Sequence, residues 1–468
     1  MFDFEYDDFE DPADEGRLND LVASYEEKGR SAYFDSDALE DVATYYFERG
    51  EFKRALDVID HLLETQPFSS DAWMRRGIVL NTLGRHDEAI DAYDHALSLN
   101  PTDIETTINR GVTLDHMGRP EEALEAYASI LAFDPTNEEA LFNKGVTLER
   151  MDRLADAVKV FEECAELNPD HPEVWYELGY CFDRLGDNSR SVACYDHHID
   201  ADPYSQDAWY NRGIVLNRIS RFREAVESYD MSIAIQDDFA SAYYNRGNAL
   251  ANLGRLEEAI ESYMRVIELE GGDAATFYNV ALAHEELQQY ETAIKYFELA
   301  VQEEEGYAEA WYGLGCCHDA LERHEAALTH FERAIALNAE VSEFWYAKAD
   351  CEYNAGLLPQ ALDSYRKVLG VEPENREAWM DYAETLFEAQ RLEDALEAYR
   401  QALSLEPENA GAYFQQAKAL FALGRPEESL RSLKMAFRLD PSTKDEFQQT
   451  YPDLYGDARV RRVLGLDQ

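Results

Sequence analysis

Apolar positions along this chain recur at three- and four-residue steps, the spacing of one helix face, in two runs per 34 residues. Trp73, Gly77 and Leu80 mark one run, which Gly84 ends; Ile90, Tyr93 and Leu97 mark the next, which Pro101 stops. The pattern predicts two helices of about 12–14 residues joined by a tight turn, an αα-hairpin. A lone hairpin leaves its apolar face in water, so only stacking on neighbours stabilises it.

The fixed points are clearest at Trp209, Gly213, Ala225 and Tyr229. Ala225 has counterparts at Ala55, Ala89, Ala123, Ala157, Ala259, Ala293, Ala327, Ala361 and Ala395, with Ser191 and Ser429 in the same register. Eleven steps of 34 without insertion or deletion make twelve repeats, from 36–69 to 410–443. Large residues anchor the first helix (Trp73, Trp175, Trp209, Tyr243), and small ones follow four later (Gly77, Gly179, Gly213, Gly247). Aromatics fill the second helix (Tyr93, Tyr195, Tyr229, Tyr263). On these residues the chain resembles the tetratricopeptide repeat family over about nine-tenths of its length. The resemblance implies an all-α fold, an α-solenoid of about twelve 34-residue helix-turn-helix repeats forming a right-handed superhelix.

There are departures. The closing proline gives way to Asp237, Gly271, Glu305 and Ala339, and the turn glycine to Ser220, Gln288, Glu322 and Gln390. Two expectations compete: a looser middle of the array, or drift with an unchanged turn.

Outside the repeats, residues 1–16 carry eight acids and no base, interleaved with Phe2, Phe4, Tyr6 and Phe9. They read as an acidic disordered tail, or alternatively as a docking motif. Residues 17–35 (Leu18, Leu21, Val22, Tyr25) stand in register with a second helix and read as a leading helix covering the open end. Residues 444–468 read as C-terminal capping helices, with Arg459, Arg461 and Arg462 in the last.

Charge narrows the partners. Against 42 Lys and Arg stand 96 Asp and Glu, a net −54. So acidic a surface repels phosphate backbones and anionic lipid, which argues against nucleic acid or membrane as a partner. With 32 Arg to 10 Lys, the balance fits a halophilic source and also an ordinary acidic solenoid. The N-terminus lacks the basic and apolar regions of a secretory signal, and no apolar run could span a bilayer, so a cytoplasmic location is expected.

Family resemblance places ligands on the concave face lined by first helices. Two residues past the anchor stand Asn109, Asn143, Asn211, Asn245 and Asn279, with Glu177 interrupting. A side-chain amide both donates and accepts, so such a row could hold a peptide backbone whatever its side chains. It resembles the asparagine ladder in the tetratricopeptide superhelix of the O-GlcNAc transferases; the alternative is that Asn merely suits a solvated helix position. Tyr176, Tyr210, Tyr244 and Tyr278 precede the ladder position, as contact surface for a ligand or as packing between helices. Further round lie Asn217 and the bases Arg184 and Arg218, either a polar groove floor or solvated charge.

Catalytic signatures are missing: there is no phosphate loop, no G-x-S-x-G and no H-E-x-x-H, and about 25 residues follow the repeats. Cys316-Cys317-His318 and Cys194 with His197-His198 lack the paired spacing of a zinc site. No metal and no cofactor are expected. The reading is a non-catalytic scaffold that binds a protein or extended peptide, with the acidic field favouring a basic one. The alternatives are a regulatory or targeting subunit for an enzyme on another chain, and a self-associating array joined through its termini.

Overall fold

The computed structural model describes residues 12–464. Residues 1–11, most of the stretch read as an acidic tail, lie outside them, whereas 12–16 already belong to the leading helix, Pro12–Lys28. The chain divides after Ile235 into two compact units. The first holds the leading helix and six helix pairs, from Ser36–Glu48 with Phe52–Thr65 to Gln206–Arg218 with Phe222–Ile235. Six further pairs make the second unit, from Ala240–Asn252 with Leu256–Glu270 to Ala410–Ala422 with Pro426–Leu439, followed by three short helices. No strand occurs among the described residues.

Each pair closes because a small residue faces a large one. At Gly213 an added Cβ would lie 2.5 Å from the Tyr229 ring, so the second helix can approach only where the first has no side chain. Tyr229 is fully buried there, as are Tyr93, Tyr127 and Tyr195 in their own pairs. Ser191 and Ser429 replace alanine without an unpaired hydroxyl, because they donate to the carbonyls of Gly179 (2.8 Å) and Ala417 (2.7 Å).

The anchor tryptophan also ties down the loop before it. Trp209 Nε1 donates to the Pro203 carbonyl at 3.0 Å, and Trp311 and Trp345 do the same to Glu305 and Ala339, both at 3.0 Å. The bond uses the carbonyl, so losing the proline does not lose it. The turns inside the pairs likewise keep one geometry: Gly84 has φ 73, and Ser220, Gln288, Glu322 and Gln390 have φ 58–60. Asp152 (φ 59) belongs with them, a substitution the sequence reading passed over. Each non-glycine residue in this left-handed conformation costs roughly 1–2 kcal/mol, which the packed helices on either side outweigh. One ending differs: the helix Leu256–Glu270 closes on a left-handed Gly271.

Both ends are covered. Val22 and Tyr25 of the leading helix share a core with Leu39, Val42 and Ile59. At the other end Phe447 and Leu464 bury against Phe414, Leu433 and Phe437.

Candidate functional site

The first helices present their polar side chains on one face. In Gln206–Arg218 the residues Ala208, Gly213, Val215 and Leu216 turn inward, which leaves Tyr210, Asn211 and Asn217 half-buried and Arg218 exposed. The tyrosines lean on the core aromatics of their own pairs, with ring centroids 5.8 Å apart for Tyr176 and Tyr195, and 6.0 Å for Tyr244 and Tyr263. Their hydroxyls reach the next repeat. Asn211 Nδ2 donates to Tyr176 Oη at 2.9 Å, and Asn279 Nδ2 to Tyr244 Oη at 3.0 Å.

The five ladder asparagines are therefore not equivalent. Asn109 is buried, Asn143 Nδ2 donates to the Glu139 carbonyl of its own helix (2.8 Å), and Asn211 and Asn279 staple neighbouring repeats. Asn279 Nδ2 also reaches Asn248 Oδ1 at 3.4 Å, so its amide already meets two acceptors of the preceding repeat.

The arginine strip is also engaged between repeats. Arg150 pairs with Asp115 at 2.8 Å, Arg218 pairs with Asp183, and Arg184 reaches Asp152 and Tyr180 Oη, both at 2.9 Å. Asn217 Oδ1 is buried without a hydrogen-bond partner. Glu177, which interrupts the ladder, lies against Glu149 of the preceding repeat. Burial first, then its hydrogen bond and repulsion with Glu149, hold Glu177 well above the usual carboxylate range, which favours one proton shared by the pair.

The second unit carries a different arrangement. Between the helices Ser342–Asn354 and Arg376–Glu388 opens a pocket of about 320 Å³. Asp350, Tyr353 and Asn354 line it from one helix and Asp381, Glu384 and Thr385 from the other, with Tyr365 joining them. Tyr365 Oη donates to Asp350 Oδ1 at 2.5 Å, and Tyr346 Oη donates to Asp381. Burial pushes Asp350 up to about 6 and raises Asp381 and Glu384 as well, with Lys418 offsetting part of the rise at Glu384. Asp381 stands on the asparagine row, three repeats after Asn279, and Asp350 and Glu384 share another repeat position. The row changes there from amide to acid, and neither that change nor the position of Asp350 and Glu384 stands out in the repeat pattern.

The cysteine and histidine doublets are absorbed into packing. Cys317 is fully buried, His318 stacks on His330 at 5.1 Å, and His197 stacks on Trp175 at 4.1 Å. Among the described residues a different set, Asp319, His324 and Cys351, brings metal-ligating atoms together.

Models of the tetratricopeptide repeat match residues 41–104, 142–206 and 346–410, then 240–273 and 308–340, then 80–143 and 386–450, and finally 274–306. No curated protein matches the chain. Among solved structures, YrrB, described as a TPR protein with an unusual peptide-binding site, is 20% identical over 39% of this chain and 95% of its own, at TM-score 0.35. The APC/C hetero-tetramer Cut9–Hcn1 matches at 16% identity over 87% of this chain and 88% of that chain, at TM-score 0.39. The C-terminal part of a TPR repeat-containing protein from Cytophaga hutchinsonii is 16% identical over 51% of this chain and 97% of that one, at TM-score 0.45.

Proposed function

Because the chain belongs to the tetratricopeptide repeat family, we propose that it is a non-catalytic scaffold binding an extended peptide or partner protein along its first-helix face. The partner presents lysine or arginine, and one such side chain enters the pocket around Asp350, Asp381 and Glu384. That pocket carries the reading. Three carboxylates are gathered in a half-buried cleft where burial raises the cost of charging each, the charge of Asp381 adds to it at Asp350 and Glu384, and a cation relieves that cost. A charged hydrogen bond of this kind contributes about 1.5–3 kcal/mol. On the first helices of each unit, Asn211 in the first and Asn245 and Asn279 in the second hold peptide backbone, while Tyr176, Tyr210, Tyr244 and Tyr278 give flat contact for its side chains. The net charge of −54 speeds the approach of any basic chain without selecting one.

The test separates the pocket from the general field. A lysine-rich unstructured peptide titrated in fluorescence anisotropy at moderate salt should bind the double variant D350N/D381N at least about tenfold more weakly, equivalent to roughly 1.4 kcal/mol. The variant alters the overall charge very little, so a loss of that size reports on the cleft. Equal affinity for both proteins would refute the pocket.

A further inference from the structure

We infer that Asp319, His324 and Cys351 form a binding site for a transition-metal dication of the zinc class, joining two consecutive repeats of the second unit. The inference stands apart from peptide binding. Asp319 lies in the last turn of the helix Ala308–Ala320, His324 opens the helix His324–Leu337, and Cys351 lies on Ser342–Asn354. Their donor atoms all fall within 4.8 Å of one another. His324 Nδ1 is 2.8 Å from Asp319 Oδ1 and 3.8 Å from Cys351 Sγ. Tetrahedral zinc, with bonds of about 2.0–2.3 Å, holds its ligands roughly 3.4–3.6 Å apart. Histidine and aspartate need only part by about half an ångström, and sulfur move in by less, to meet that geometry.

The repeats supply internal controls. Cys181, Cys317 and Cys351 occupy one repeat position, and 32 residues before each stands a carboxylate: Glu149, Glu285 and Asp319. Each thiol lies in the field of its carboxylate. The residues 27 before are Leu154, Tyr290 and His324, so only Cys351 completes a sulfur, nitrogen and oxygen set. The histidine bond alone does not make a site. His86 Nδ1 contacts Asn81 Oδ1 at the same 2.8 Å, but Thr113 fills the cysteine position there.

The chemistry selects the metal. A thiolate and an imidazole suit zinc or cobalt and not calcium or magnesium, which take oxygen ligands. Three protein ligands leave a fourth position for water, the pattern of an open zinc site. Solvent reaches the site from the side of Asp319 and His324, whose side chains are 25% and 29% exposed, while Cys351 is fully buried behind them. On binding, the Cys351 S–H proton passes to solvent and the thiolate takes the metal in its place, while the His324 ring proton leaves Nδ1 and the ring takes the Nε2–H tautomer so that Nδ1 can ligate.

The test uses the whole protein, stripped with chelator and titrated with Zn²⁺ against a chromogenic competitor, alongside Co²⁺ absorption spectra. Wild type should take up one tight equivalent and give a thiolate-to-cobalt charge-transfer band. C351S and H324A should lose affinity by at least about 100-fold, the upper end of what second-sphere changes cost. D319N, which can keep the histidine bond as Asn81 does, should lose at least about tenfold with unchanged helicity, so a folding defect in C351S leaves the question decidable. C317S should bind as wild type does. The site is overturned if wild type holds Zn²⁺ no tighter than D319N and H324A, if C317S falls as far as C351S, or if Co²⁺ gives no thiolate band.

Discussion

The polar faces of the two units differ at one repeat position. In the first unit, position 150 and its equivalents hold Glu48, Thr82 and His116 and then Arg150, Arg184 and Arg218, and each arginine reaches back to an acid of the preceding repeat. Across the second unit the same position holds Asn252, Glu286, Ala320, Asn354, Glu388 and Ala422, none of them basic. Asp115, Asp152 and Asp183 on the first face are thus matched by arginine, although Glu149 and Glu177 crowd there too, whereas Asp350 and Asp381 on the second accept from tyrosine hydroxyls instead. Glu285 and Asp350 both rise to about 6 through burial. A solenoid can therefore keep one fold throughout while differing, unit by unit, in what it leaves for a cation to do.

The largest expected effect comes from making the second face like the first. Asn354 lines the acid pocket and follows Asp319 by the 35 residues that separate Arg150 from Asp115. N354R should place a guanidinium in the cleft and weaken lysine-peptide binding by tenfold or more, roughly 1.4 kcal/mol, with no loss of thermal stability. Unchanged binding in the anisotropy titration would mean that the two faces do not differ in function.

Acid should act next, in opposite directions on binding and stability. Glu285 and Asp350 have folded values of about 6, above their unfolded values of roughly 4. Between those limits the folded chain holds protons that the unfolded chain lacks, so stability rises as pH falls through 6 and the gain is complete below about 4. Peptide binding should instead fade by a fewfold from pH 7.5 to 5.5, because protonation removes the charge the ligand meets. Calorimetric melting and anisotropy over one pH series check both signs; binding that strengthens with acid would break the comparison.

The smallest effects concern the staples of the first face. N211A removes the amide bond to Tyr176 and should cost about 0.5–1.5 kcal/mol. R218A, which breaks an exposed pair, should cost under about 1 kcal/mol while leaving Asp183 unmatched. Urea unfolding measures both, and a gain of lysine-peptide binding in R218A would sharpen the contrast between units.

How legible was this in the sequence? The hairpins were, because Gly213 and Tyr229 meet within a single repeat, and a small residue opposite a large one recurs wherever that contact recurs. The left-handed turns were less so. Gln288, Glu322 and Gln390 occupy a glycine position without looking like turn residues, because packing on both sides overrides their backbone preference, whereas Asp152 tolerates that conformation and passes without notice. The polar face was readable as a set of positions. Its state was not: Asn109, Asn143 and Asn211 look alike in sequence, yet one is buried, one bonds its own helix and one bonds Tyr176.

The division has a physical basis. Sequence by itself determined the helices, their pairing and the 34-residue register, since these rest on contacts within a repeat or between identical repeat positions. Only the tertiary structure decided which amides and arginines are already engaged, where carboxylates crowd without a base, and that Asp319, His324 and Cys351 converge. Those outcomes depend on side chains 27 to 35 residues apart, at different positions in neighbouring repeats, and the repeat pattern leaves such pairs unconstrained.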